Sequence, residues 1–144
     1  MRYLLDVNLV LSLLDTKHVF HDSAHQWFEA REPLTFLTCP IVQNGFIRIA
    51  SQVRYPNRLG HAGEVRAFLQ RFVKDPRHEF CMNNISLLDD DLLLTSETLL
   101  SAQVTDLYLV ALAVHNRAKL ATFDHSIPAN MIKNGDQAIE VLKA

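Results

Sequence analysis

Apolar and polar positions follow two rhythms along this chain. Short apolar runs are bounded on both sides: "RYLLD" (2–6), "LTFLT" (34–38), "EFCM" (79–82), "KLATF" (119–123) and "AIEVL" (138–142). Runs of this length with such boundaries read as buried strands. Between them the apolar residues recur at helical spacing. Val7, Val10, Leu11 and Leu14 share a face in 7–15; Ala24, Trp27 and Phe28 do so in 21–31, with Asp22 or Ser23 as the cap. The stretch 40–51 is helical with Pro40 in its first turn, and 64–73 sets Val65, Phe68, Leu69 and Phe72 at helix spacing. "SLLDDDLLLTSETLLSA" (86–102) reads as a whole or broken helix, and "VTDLYLVALAVHNR" (104–117) as a strongly apolar one. The densest turn signals lie in the loop 54–63, "RYPNRLGHAG". Strands alternating with helices predict an α/β domain around a parallel sheet.

Length and composition narrow this picture. A chain of 144 residues fits one domain, taken as 1–144, and 49% hydrophobic residues suffice for a core. A net charge of -2 excludes a protein built around a basic surface. Nucleic acid would then be held through a local cluster or a metal. Cys39 and Cys81 lack metal-knuckle spacing and are expected to be buried thiols in a reducing cytoplasm. Asp6 interrupts the apolar N-terminal run, no small-residue cleavage site follows, and no run approaches membrane-spanning length; no membrane association is expected.

Three acids stand in apolar surroundings. Asp6 ends the first strand, Asp106 opens the helix "VTDLYLVALAV", and Asp124 follows the strand "KLATF". Each has a local explanation: Asp6 as a helix cap, Asp106 as a complement to a helix N-terminus, Asp124 as the start of a turn. Ligands of parallel sheets, however, bind beyond the carboxyl ends of the strands. Three carboxylates gathered there repel one another unless a cation joins them, and hard oxygen donors suit Mg²⁺ or Mn²⁺.

The ordered set "LLDVNLVLSLL", "CPIVQNGFIRI", "VTDLYLVALA" and "LATFD" resembles the PIN domain, and more narrowly the VapC toxins of type II toxin–antitoxin systems, over residues 2 to 127. The resemblance implies a three-layer α/β/α fold with a mainly parallel central sheet. It also implies a Mg²⁺- or Mn²⁺-dependent endoribonuclease, with RNA as substrate, a cognate antitoxin as partner, a homodimer and a cytoplasmic location. It assigns catalysis and metal binding to Asp6, Asp106 and Asp124. Family members commonly carry a Glu five residues before an Arg in the central helix. Arg48 matches the Arg, but the Glu position holds Gln43, a neutral side chain. One tight metal site is therefore expected, with a second completed at best by substrate. Asn8 and Thr122 match small polar positions lining the site.

Lys17, Arg48, Arg54 and Arg58 are candidates for phosphate contacts and Tyr55 for base stacking, with "RYPNRLG" as the patch. Arg48 is equally suited to pairing with an acid of the site. His18, His21 and His25 cluster, two of them four apart, but no HExxH pattern accompanies them. "DDD" (89–91) reads as a solvated turn. Trp27, Phe28, Phe68 and Phe72 are either a dimer surface or core. The competing functions are a degenerate PIN domain that only binds RNA or protein, and a haloacid-dehalogenase-like phosphatase. The latter wants a second Asp where Asn8 stands.

Overall fold

The computed structural model describes all residues 1–144. Five strands form one sheet: β1 (Arg2–Leu5), β2 (Thr35–Thr38), β3 (His78–Phe80), β4 (Lys119–Thr122) and β5 (Ile139–Val141). Their order across the sheet is β3-β2-β1-β4-β5, and every pairing is parallel. The sheet is therefore wholly rather than mainly parallel. Central strands buried on both faces explain the unbroken apolar runs: Leu4, Leu5, Phe36, Leu37, Leu120 and Ala121 are all fully buried.

Helices α1 (Val7–Leu14), α2 (His21–Ala30), α3 (Pro40–Ala50) and α4 (Ala62–Phe72) follow β1 and β2; α2 and α3 both pack on α1, and α4 packs on α3. Helix α5 (Val104–His115) packs instead on β4 and β1. Parallel crossovers are right-handed. Steps from β1 to β2 to β3 therefore put their helices on one face, and the return from β3 past β1 to β4 puts α5 on the other. This α/β/α arrangement reverses strand order between β1 and β4, the place where such sheets open a crevice. Helix α5 is apolar around most of its circumference because it is covered: Leu107 and Leu109 to Ala113 are buried. Gly45 lets α3 approach α1 closely, since a Cβ there would lie 3.0 Å from Val7 Cγ2.

Two expectations are corrected. Helix α2 starts at His21 with Phe20 as its N-cap, without a side-chain cap; Asp22 lies inside the first turn. Residues 86–102 do not form a helix. They run as turns into a 3₁₀ turn at Ser101–Gln103. Polar side chains capture the backbone locally: Ser86 Oγ accepts from Leu88 N–H, and Asp89 Oδ1 from Asp91 N–H. Leu92 and Leu94 then exchange backbone hydrogen bonds with Lys133 and Met131 rather than with a helical turn. The turn expected at 89–91 is present and exposed.

The cysteines are free and buried. Trp27 and Phe28 belong to the core and Phe72 packs against it, which leaves only Phe68 of the four aromatic candidates substantially exposed. No helix is long and apolar enough to cross a membrane.

Candidate active site

Asp6 is the residue directly after β1 and the N-cap of α1. Its Oδ1 accepts from Val7 N–H at 2.7 Å. The cap and the position beyond the strand are thus the same residue doing two things. Only 6% of Asp6 is exposed, which makes its second partner decisive. Thr122, the last residue of β4, donates its hydroxyl to Asp6 Oδ2 at 2.7 Å. The same Thr122 oxygen accepts from Asp124 N–H at 3.0 Å. One fully buried hydroxyl therefore joins the ends of the two strands that flank the crevice. Asp124 is oriented from its other side by Ser126, whose N–H and hydroxyl both bond Oδ1, at 2.8 and 2.6 Å. Asp106 comes from the first turn of α5 and its carboxylate makes no hydrogen bond within the chain.

The three acids feel one another. Burial pushes the Asp106 carboxyl up to about 6, and the charges of Asp6 and Asp124 add to it. Burial also raises Asp6; the Thr122 and Val7 hydrogen bonds oppose this, and Asp124 reinforces it. Asp124 moves the other way, lowered by its Ser126 hydrogen bonds. No three acid, histidine or thiol groups lie close enough together to form a ready-made ligand cluster. The donor set nevertheless suits a hard divalent ion. It offers the free Asp106 oxygens, the unengaged Asp124 Oδ2 and the remaining lone pairs of Asp6.

Gln43 is turned to a different task. Its Nε2 donates to Thr38 Oγ1 at 3.0 Å, and that hydroxyl also bonds His78 Nε2 at 2.7 Å. It makes no hydrogen bond to any of the three acids. Arg48, in the last turn of α3, is exposed and pairs with no acid. Asn8 lies exposed in the first turn of α1. Tyr55 is not a free stacking ring: its hydroxyl bonds Asp15 Oδ2 at 2.6 Å. The histidines cap helix ends. His21 Nδ1 and His25 Nε2 donate to Ser12 O and Leu13 O, both at 2.8 Å, satisfying carbonyls at the end of α1. The sequence reading missed Asp15, the residue closing α1, and the aromatic pair Phe20 and Phe123 beside Asp124. Neither carries a local signal, because their partners lie far away in sequence.

The sequence pattern of the PIN domain matches residues 3–130. The chain belongs to the PIN-domain family. Among PIN proteins it is 42% identical over 127 residues to Ribonuclease VapC44 of Mycobacterium tuberculosis, covering 88% of this chain and 89% of that one. It is 34% identical over 125 residues to Ribonuclease VapC38 of the same species, covering 86% of each. Within the PIN family it is thus a VapC protein. A chain from the crystal structure of VapBC2 from Rickettsia felis, bound to a DNA fragment from their promoter, superposes with a TM-score of 0.58 at 16% identity. That match covers 99% of this chain and 100% of that one, a likeness of fold.

Proposed function

We propose that this VapC protein is a Mg²⁺- or Mn²⁺-dependent endoribonuclease, the toxin of a type II toxin–antitoxin pair. The observation that carries the reading is the convergence of Asp6, Asp106 and Asp124 at the β1–β4 reversal, with Asp106 held near 6 by burial and its two neighbours. A site meant to stay empty has no reason to gather three carboxylates against their mutual repulsion. These three residues would hold the ion. A divalent cation bound there would neutralise the phosphodiester, lower the pKa of water and stabilise the leaving oxygen.

The chain's own residues do the positioning. Thr122 holds Asp6 and the Asp124 backbone in fixed relation, and Ser126 turns Asp124 so that Oδ2 stays free. Asp106, without an internal partner, keeps both carboxylate oxygens free for the ion. Because Gln43 is committed to Thr38 and carries no charge, we assign one tight metal site, with a second completed only by substrate phosphate. Arg48, Arg54, Arg58 and Lys17 are exposed and free of ion pairs, as phosphate contacts would be. The relatives' names and the fold support RNA as substrate and a cognate antitoxin as partner. We place the chain in the cytoplasm as one domain, acting as a homodimer.

The test is incubation of the purified protein with structured RNA and Mg²⁺ or Mn²⁺. Cleavage that EDTA stops and Asp6→Ala abolishes is expected. Intact RNA with folded protein and either metal would instead make the chain a binding module. Expression alone should arrest bacterial growth; harmless accumulation of folded protein counts against the toxin role.

A further inference from the structure

Beside the acids lies an aromatic surface that nothing above uses. Phe20, the N-cap of α2, is half-buried and stands outside the main core cluster. Its ring rests on Phe123 with centroids 4.6 Å apart and planes inclined by 30°. Phe123 lies between Thr122 and Asp124, the two residues that link and complete the carboxylate site. His18 flanks Phe20 at 5.7 Å. Its Nδ1 accepts from Phe20 N–H at 3.0 Å, which leaves the proton on Nε2. That Nε2 has no partner within the chain and is not a buried unsatisfied atom, so it faces solvent. The fully buried Ser12 ties this group to α1: its Oγ donates to Asn8 O at 2.7 Å and touches His18 Nδ1 at 3.3 Å.

A half-buried phenyl ring packed on the residue between Thr122 and Asp124 has two explanations. One is that it pins the α1–α2 turn to the sheet edge, for which any apolar side chain of its size would serve. The other is that the part of the ring left exposed receives a base. The second explains what the first does not: an aromatic–aromatic pair with a free imidazole N–H at its edge, continuous in the chain with Asp124. We propose that Phe20, backed by Phe123 and edged by His18 Nε2–H, is the platform on which a nucleobase next to the cleaved phosphodiester stacks. Stacking is tolerant of sequence, while the imidazole donor favours a base with an acceptor on its edge. The platform would therefore set both grip and base preference at that position. This rests on the ribonuclease reading above.

The experiment uses the full chain with Mg²⁺ or Mn²⁺ and short single-stranded RNA. First, cut sites in an RNA pool of random sequence are mapped for the wild type; then Phe20→Leu, Phe20→Tyr and His18→Gln are compared, with thermal melts for each. Phe20→Leu should raise KM about ten-fold with little change in kcat, and Phe20→Tyr should restore it. His18→Gln should flatten the base preference. An oligonucleotide abasic at the stacked position should lose about the same factor with the wild type and almost nothing further with Phe20→Leu. Equal KM and cut-site profile for the wild type and a folded Phe20→Leu would overturn the platform and leave the nuclease intact. Should Phe20→Leu not fold, an abasic oligonucleotide cleaved by the wild type as well as its parent would overturn it. Absence of any cleavage by the wild type, of these RNAs and of structured RNA alike, sinks both readings.

Discussion

One short helix carries a nearly inaccessible aspartate at each end, and the two could hardly differ more. Asp6 caps the start of α1 at 6% exposure and Asp15 closes its end at 1%. Asp6 sits where the helix dipole favours an anion; Asp15 sits where it does not. Yet it is Asp6 whose carboxyl is raised. Burial and the Asp124 charge prevail over its two hydrogen bonds. Burial pushes Asp15 up as well, but donors from Tyr55 Oη, Asn57 Nδ2 and Lys17 N–H outweigh it and leave it lowered. Asp15 is saturated, and it clips the 51–60 loop to the end of α1. Asp6 is undersupplied with donors and faces other acids. A buried carboxylate thus holds a fold together when its partners are donors, and it is available to bind a cation when they are carboxylates.

Substitutions at the two positions should separate these roles. The largest effect is expected from Asp6→Asn: RNA cleavage falls by at least about 10³-fold while the melting temperature changes little, since the amide oxygen still accepts from Val7 and removal of a charge opposed by burial and by Asp124 offsets the lost Thr122 bond. A clear loss of stability would move Asp6 to the structural side. Asp15→Ala should do the opposite. Two hydroxyl and amide donors and a backbone N–H lose their acceptor, at a cost of about 2–4 kcal/mol, or roughly 10 °C in Tm. Cleavage by the remaining folded protein should stay within about threefold, read by urea titration alongside an activity assay.

The pH dependence of stability contrasts Asp15 with Asp106, Asp6's neighbour across the site. A lowered carboxyl such as Asp15 contributes stability above its ordinary value of 3.8 that is lost as pH falls through the folded value. Asp106, held at about 6 against an ordinary 3.8, binds more protons when folded than unfolded between those values. Its contribution therefore turns unfavourable as pH rises through that window. Asp106→Asn should raise the melting temperature of the metal-free protein at pH 7 by a few degrees, and leave it nearly unchanged near pH 3. A melting temperature at pH 7 equal to that of the wild type would show that the three acids do not strain the fold. Millimolar Mg²⁺ or Mn²⁺ should in turn stabilise the wild type by linkage and fail to stabilise Asp106→Asn. Equal stabilisation of both proteins would place the ion elsewhere. The smallest effect is expected from Gln43→Glu. It exchanges the donor to Thr38 for a second acceptor and should cost about 1 kcal/mol without tightening metal binding. A gain in affinity would show that position 43 turns toward the acids once charged.

Much of this architecture was legible in apolar rhythm. The strands at 2–6, 34–38 and 119–123 and the helices at 7–15, 40–51 and 104–117 lie within a residue or two of the observed elements, because each is short, bounded and buried on a consistent face. The segment 86–102 was misread for the complementary reason. Its leucines are spaced as in a helix, but Ser86 and Asp89 offer the backbone closer partners and Met131 and Lys133 offer distant ones. Asp6, Asp106 and Asp124 stood out as acids at expected strand ends or in the first turn of the most apolar helix, whereas Asp15 closes a helix and is followed by polar Thr16, Lys17 and His18, as a solvated helix end would be.

The sequence by itself determined which segments become strands and helices, and that acids sit at the ends of two strands and at the start of the most apolar helix. Those are local properties, set by periodicity and by charge against its immediate neighbours. The strand order brought Asp6 beside Asp124 through Thr122, 116 residues from Asp6. It also gave Asp15 its donors from Tyr55 and Asn57, turned Gln43 onto Thr38 and laid Phe20 on Phe123. Only the tertiary structure decides such matters: a carboxylate's protonation and a ring's exposure depend on what lies within a few ångströms, and here those neighbours arrive from distant parts of the chain.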